Sequence, residues 1–233
     1  MLGTGKYALI SVYNKRNITI LAKNLLDSGY KIIATEGTGL HLSSHGIDYI
    51  PCESVSKNPK IFDGEIKTMS FAVEGGLFFD RKNDLSVIEA KKCKIKQIDI
   101  LICNIENDSF LIKEKRKFPL QEFMRKLDFG GITMIRVAVH NLKNVTVVTD
   151  PGDYPKISNA LKKGVISDSL RYVLAKKAWR LILKYDRDIN NIFFKKKSSK
   201  NKRSGRQVVK GKGEQALFVG SNPTRISYGN KRK

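Results

Sequence analysis

Cysteine is scarce in this chain of 233 residues: Cys52, Cys93 and Cys103 are scattered, and no two stand in a C-x-x-C spacing. An odd number of isolated thiols argues against a disulfide scaffold or a cysteine-based zinc site, and it favours a reducing compartment. Histidine is equally rare. His41 and His45 lie four residues apart without a neighbouring carboxylate or cysteine that would complete a site of the H-E-x-x-H kind. We therefore predict no metal and a cytoplasmic location.

Long hydrophobic runs are also missing, since no apolar stretch reaches the roughly 18 to 20 residues that a membrane-spanning helix needs. The short apolar run Tyr7–Val12 ends at the polar Tyr13-Asn14-Lys15, which is unlike a secretory signal. The sequence has no G-x-G-x-x-G, and Gly3-Thr-Gly5-Lys6 lacks the spacing of a Walker loop. We predict no membrane association and no cofactor.

Acidic residues are nearly absent from the last part of the chain. Of a net charge of +22, residues 195–233 carry 13 Lys and Arg against one acid, Glu214. The stretch Lys195–Arg206 contains no apolar residue, which predicts a disordered basic tail after a domain spanning 1–194. Such a tail binds polyanions weakly and without specificity. A selected RNA site is the alternative, but Lys195–Lys212 offers no aromatic side chain for stacking on bases.

The rest of the chain alternates β-prone and helical patterns. The strands are expected at Tyr7–Val12, Tyr30–Ala34, Ile47–Ile50, Asp99–Cys103 and Asn144–Thr149. The helices are expected at Asn17–Ser28, from the turn after Ala34 through His45, and at Leu120–Leu127, Thr133–Leu142, Asp153–Lys163 and Ser167–Ile192. The β-α-β-α-β opening predicts an α/β fold of three layers, a mostly parallel sheet with helices on both faces.

Two loops have the chemistry of a phosphate cradle. Ser11 and Lys15 follow the first predicted strand, and Thr35, Gly37 and Thr38 follow the second. Such loops lie side by side at the carboxyl ends of parallel strands, where ligands of α/β proteins bind. Hydroxyl groups, N–H groups at helix starts and a lysine suit a phosphate dianion. The alternative interpretation is that the second loop is only a turn with a helix cap.

Two other segments have a more distinctive sequence pattern than these loops. They are Asp63-Gly-Glu-Ile-Lys-Thr68 and Asp128-Phe-Gly-Gly-Ile-Thr-Met-Ile-Arg136, which continues to Asn141. They resemble the D-G-R-V-K-T and D-I-G-G-P-T-M-I-R-A-A-A-K-N segments of the IMP cyclohydrolase domain, the N-terminal half of the bifunctional purine biosynthesis proteins. That domain has a methylglyoxal synthase-like fold. Ala8–Lys15, Thr35–Thr38 and Val145–Tyr154 are similar to further segments of this family, and the likeness runs in one order over residues 6–192.

The resemblance implies a purine nucleotide substrate and a reaction: the formylated imidazole carboxamide ribotide closes to IMP with loss of water. By position, Ser11, Lys15, Thr35, Gly37 and Thr38 would hold the 5′-phosphate. Lys67 would be the catalytic lysine, and the base would be lined by Thr68, Asn104, Asp128, Gly130 and Gly131. A lysine ammonium stabilises a developing oxyanion, and a carboxylate takes an amide proton. Without the resemblance, the favoured interpretation of each residue taken singly is the ordinary one, a solvated lysine at Lys67 and a helix cap at Asp128.

The sequence departs from the family around the base. His140 replaces the lysine of A-A-A-K-N, while Glu65 and Glu106 replace an arginine and a tyrosine. One interpretation is that the domain still cyclises, because the reaction is intramolecular and His140 replaces the lysine as a proton donor. The alternative is a decayed or repurposed nucleotide-binding module.

The family also implies partners for the chain. Its members pair as homodimers with sites near the subunit boundary. The second half of those proteins is a formyltransferase. In this sequence Ile226–Lys231 is only weakly similar to the segment that begins it, so we expect no formyl transfer. The third functional alternative is a protein that binds only RNA, through the basic tail.

Overall fold

The protein is described by a computed structural model that covers residues 6–58, 66–105, 119–125 and 127–193. The strands are β1 Lys6–Val12, β2 Tyr30–Ala34, β3 Ile50–Pro51, β4 Ile98–Asn104 and β5 Thr146–Val148. The helices are α1 Ile18–Asp27, α2 Glu36–Ser43, α3 Cys52–Ser56, α4 Phe71–Phe78, α5 Asp84–Lys92, α6 Leu120–Arg125, α7 Phe129–His140, α8 Tyr154–Lys162 and α9 Asp168–Phe193. Among the helices within these ranges, none combines the length and apolar character that crossing a bilayer requires.

The five strands form one sheet in the order β3-β2-β1-β4-β5, and each of its four pairings is parallel. The chain builds outward from β1 to β2 and β3, and then returns to the other side of β1 for β4 and β5. The direction of winding therefore changes between β1 and β4, and ligands of open α/β sheets bind at the carboxyl ends of the strands beside such a point.

Helices cover both faces of the sheet, which confirms the predicted three-layer α/β architecture. Successive residues of a strand point to opposite faces, so Leu9 and Leu101 belong to one core while Ile10 and Ile102 belong to the other. The first core is closed by apolar residues of α3, α4, α7 and α9. The second is closed mainly by those of α1, α2 and α8. Cys103 is 1 % exposed in the first core, as expected for a small packed side chain.

The third strand differs from its prediction. It was expected at Ile47–Ile50 and instead covers Ile50–Pro51. Ile47 is buried, but its N–H donates to the carbonyl of Leu42 at 3.1 Å, after Gly46 has turned the chain with a φ of 70°. This is the hydrogen bonding that closes a helix C-terminus. Ile47, the apolar residue after this glycine, therefore closes the C-terminus of α2 and does not belong to β3.

The helix predicted at Thr133–Leu142 begins four residues earlier, at Phe129. The reason is a side-chain cap: the carboxylate of Asp128 accepts a hydrogen bond from the N–H of Gly131, and this compensates for two glycines in the first turn. Gly130 and Gly131 therefore lie inside α7. Helices α3, α4 and α5 carried no periodic signal that predicted them.

Candidate functional site

The residues predicted to form a phosphate cradle come together where β1 and β2 end. The hydroxyl of Thr35 donates to Ser11 Oγ at 3.2 Å, and the hydroxyl of Thr38 accepts a hydrogen bond from the N–H of Val12 at 3.0 Å. Thr35 and Thr38 are buried, whereas Ser11 is half-buried. The three hydroxyl groups therefore join two loops that are more than twenty residues apart in the sequence.

The N-terminus of α2 opens onto this cradle. Thr35 is its N-cap residue, and the side chain of Thr35 makes no capping hydrogen bond. The first N–H groups of a helix have no intrahelical partner, and together with the helix dipole they attract an anion. Gly37 lies in this first turn, and a Cβ built on it would meet nothing within 4 Å. The half-buried Lys15 follows β1 in the neighbouring loop, so the local charge favours an anionic group.

A second cluster surrounds the N-terminus of α7. Asp128 Oδ1 accepts from the N–H of Gly131 at 2.6 Å, and the N–H of Asp128 donates to the hydroxyl of Tyr185 at 2.9 Å. Gly130 contacts Thr68 so closely that a Cβ on it would lie 2.5 Å from Thr68 Oγ1. Since β4, α7 and β5 form a crossover between parallel strands, this end of α7 lies at the carboxyl edge of the sheet. The two clusters therefore share one edge.

The carboxyl group of Asp128 and the ammonium group of Lys67 interact electrostatically. Burial raises the pKa of Asp128 above its usual range, while the hydrogen bond from Gly131 and the charge of Lys67 act in the opposite direction. The side chain of Lys67 is itself exposed. A carboxylate that accepts protons readily beside an accessible ammonium is a suitable pair for moving a proton and stabilising a developing oxyanion.

Asn104 has a different role from the base contact that the resemblance implies. Its side-chain oxygen accepts from the N–H of Asn14 at 2.8 Å, and its amide nitrogen donates to the carbonyl of Asn14 at 3.1 Å. The last residue of β4 therefore holds the turn that carries Lys15. Contact of Asn104 with a base stays a prediction.

His140 is not brought to this edge of the sheet. It is the last residue of α7, and the 12 residues of that helix separate it from Asp128 by about 18 Å along the axis. Its ring stacks on Phe78 with centroids 5.2 Å apart. Glu65 and Glu106, the other two departures from the family, lie outside the described residues, as does the predicted tail 195–233.

A cavity of about 730 Å³, which was not predicted from the sequence, adjoins the cradle on the side of β5 and α9. It is lined by Tyr13, Asn14, Lys15, Asn104, Ile105, Thr149, Asp150, Pro151, Lys177, Arg180, Leu181 and Lys184. The signal that could have revealed it is the spacing of Lys177, Arg180 and Lys184, which places three basic side chains on one face of a helix.

Comparisons with known proteins agree with this architecture. The family model of the MGS-like domain matches residues 17–135, and that of the AICARFT/IMPCHase bienzyme matches residues 138–229. The bifunctional purine biosynthesis protein PurH of Clostridium botulinum is 38 % identical over 189 residues, which is 80 % of this chain and 37 % of that protein. PurH of Caldicellulosiruptor saccharolyticus is 34 % identical over 192 residues, 81 % of this chain and 37 % of its own length.

A solved structure, the crystal structure of ForH, superposes with a TM-score of 0.70 at 28 % identity and covers 82 % of this chain and 100 % of that one. The fold described above therefore accounts for the whole of that chain. The present chain spans little more than a third of the curated relatives that it matches. The predicted resemblance is confirmed, and the chain belongs to the family of MGS-like domains.

Proposed function

We propose that this chain is an IMP cyclohydrolase, which closes the formylated imidazole carboxamide ribotide to IMP with loss of water. The observation that carries the proposal is that Asp128, on whose carboxyl group the charge of Lys67 acts, lies at the same sheet edge as the hydroxyl-lined loops of Ser11, Thr35 and Thr38. An anion site and a proton-transfer pair at one edge suit a nucleotide whose phosphate and reacting base lie at opposite ends. The likeness to PurH proteins supports the same activity.

The chemistry needs few protein groups. The carboxamide nitrogen attacks the formyl carbon, and the carbonyl oxygen becomes an oxyanion that the ammonium of Lys67 stabilises and then protonates. Asp128 accepts a proton from the attacking nitrogen and returns it to the resulting hydroxyl group. That group leaves as water while the former formamide nitrogen gives its proton to Lys67 and forms the C=N bond of the new ring. Because the two reacting groups belong to one molecule, holding them in position already removes a large part of the barrier.

The test is turnover of the purified protein with the formylated nucleotide, followed by the appearance of IMP. We expect Lys67→Ala to lower the rate by about 10² to 10³. Lys92→Ala is the matched control, because Lys92 is an exposed lysine at the end of α5. A wild-type rate no greater than the spontaneous one would contradict the proposal. Mixing the protein with unformylated nucleotide and formyl-tetrahydrofolate should consume neither.

The second candidate is a nucleotide-binding module without turnover, and the replacement of the family lysine by His140 favours it. The two candidates give different results with the product. A module without turnover binds IMP in a manner that Ser11→Ala weakens, and yet it leaves the formylated nucleotide unchanged.

We also propose that the functional unit is a homodimer. Within one subunit His140 lies near the amino-terminal edge of the sheet, about 18 Å along α7 from Asp128. A part for His140 in the reaction therefore requires the ring to come from a second copy of the chain.

A further inference from the structure

The cavity beside α9 is separate from the two clusters described above. It shares Lys15 and Asn104 with them, but it is bounded by the loop after β5 and by α9, and it contains neither Lys67 nor Asp128. Its volume of about 730 Å³ lies within the range of cavities that hold small molecules.

The cavity is lined by four basic side chains, and carboxylates neutralise two of them. Lys177 is neutralised by Asp150, whose carboxylate is 2.6 Å from its ammonium, and by Asp153. Lys184 forms an ion pair with Asp188 at 2.9 Å. Among the residues that the structure describes, Arg180 has no carboxylate within ion-pair distance. Arg180 and Lys15 are therefore the cations of the cavity that remain available to an incoming anion.

The remaining walls suit a partly apolar ligand. Ile105, Pro151 and Leu181 line the cavity with aliphatic surface, and the ring of Tyr13 is 60 % exposed. A planar group can stack on such a ring while an anionic group meets the guanidinium, which forms paired hydrogen bonds with phosphate oxygens. This combination of aromatic, aliphatic and cationic surface suits a phosphate-bearing small molecule.

We infer that this cavity is a second phosphate-binding site, in which Arg180 on α9 and Lys15 bind the anion. The site adjoins the phosphate cradle and is distinct from it, and the inference does not depend on the cyclohydrolase activity. Because the loop of Lys15 borders both, an occupant of the cavity competes electrostatically with a nucleotide for the same lysine.

The test is a titration of the full-length protein with inorganic pyrophosphate, monitored by tryptophan fluorescence. Trp179 is the single tryptophan of the chain, and it precedes Arg180 on α9. We expect saturable binding that Arg180→Gln weakens by about tenfold or more, the loss expected for a charge-assisted hydrogen bond. Arg187→Gln is the matched control, because Arg187 is an exposed arginine of the same helix that does not line the cavity.

Two further arms decide where the anion sits. Ser11 lines the cradle and not the cavity, so Ser11→Ala should leave the midpoint of the Trp179 signal unchanged. If it shifts that midpoint as much as Arg180→Gln does, the signal reports an anion in the cradle and the inference is wrong. Equal affinity in the wild type and in Arg180→Gln would likewise overturn it, since binding would then belong to other basic residues. In the Ser11→Ala variant, whose cradle is weakened, IMP should still displace pyrophosphate, whereas inosine, which lacks a phosphate, should not.

Discussion

Gly130 lies in the first turn of α7, against the side chain of Thr68. A Cβ on this residue would approach Thr68 Oγ1 to 2.5 Å, and Thr68 is only 4 % exposed, so it has little room to move. We expect Gly130→Ala to lower the free energy of unfolding by about 1 to 3 kcal/mol, the usual result of overpacking a buried site. Urea denaturation measures the change.

The control for this substitution is Gly37→Ala. Gly37 also lies in the first turn of a helix, but nothing is found within 4 Å of its added Cβ. Alanine at such a position leaves stability unchanged or raises it by up to about 1 kcal/mol. If both variants unfold at the same urea concentration as the wild type, the close contact between Gly130 and Thr68 is not a feature of the folded protein.

Asp128 combines two roles that one substitution can separate. Its carboxylate caps α7 through Gly131, and we propose that it also accepts the substrate proton. Asparagine is as good an N-cap as aspartate, but it is not a base. Asp128→Asn should therefore change the unfolding midpoint little while lowering turnover by about 10² to 10⁴. A parallel fall in both quantities would assign Asp128 a structural role only.

At the scale of single elements, α4 contains a buried carboxyl group, that of Glu74, which makes the free energy of unfolding depend on pH. Glu74 Oε2 accepts from the N–H of Ser70 at 2.6 Å, but Oε1 is buried and has no hydrogen-bond partner among the residues that the structure describes. Burial is the main reason why the pKa of Glu74 is raised from its usual 4.5. The folded state therefore binds the proton more tightly than the unfolded state does, and this contribution to stability is lost as the pH rises through the raised pKa.

We expect Glu74→Gln to remove this pH dependence, because glutamine keeps the hydrogen bond from Ser70 without a charge. Relative to the wild type, the variant should gain stability as the pH is raised from about 4 to 7, the range above the ordinary carboxyl pKa. Urea midpoints measured at several pH values test this. Glu89→Gln, at an exposed carboxylate of α5, should show no such gain, and a gain of equal size there would contradict the explanation.

Elements with strong local patterns were predictable from the sequence, and those fixed by contacts were not. Apolar runs located β1, β2 and β4 because buried parallel strands are apolar on both faces. The start of α7 was misplaced because two glycines disguise a turn that only the carboxylate of Asp128 stabilises. Helix α4 was not predicted, because its apolar residues and glycines follow no helical periodicity.

The candidate site shows the same division. Ser11, Thr35 and Thr38 could be grouped from the sequence because topology alone brings the ends of neighbouring parallel strands together. The cavity beside α9 could not, since it depends on how a C-terminal helix packs against loops that are distant in the sequence. The position of His140 followed only once the true length of α7 was known.

At the scale of the whole molecule, the proposed homodimer makes a specific prediction. If each site takes Lys67 from one subunit and His140 from the other, two inactive variants, Lys67→Ala and His140→Ala, should complement each other. A mixed dimer then contains one site with both residues intact, so random mixing should restore about a quarter of wild-type activity. Sites built within single subunits would show no recovery, and sedimentation of the wild type as a monomer would exclude the pairing.

The two hydrogen bonds from the side chain of Asn104 reach only main-chain atoms of Asn14, and this has an evolutionary consequence. The neighbouring strand holds the backbone at Asn14 through atoms that do not change with the side chain at Lys15. Mutations at Lys15 therefore leave these two hydrogen bonds in place. New ligand preferences can therefore be explored in single steps, with foldability left intact.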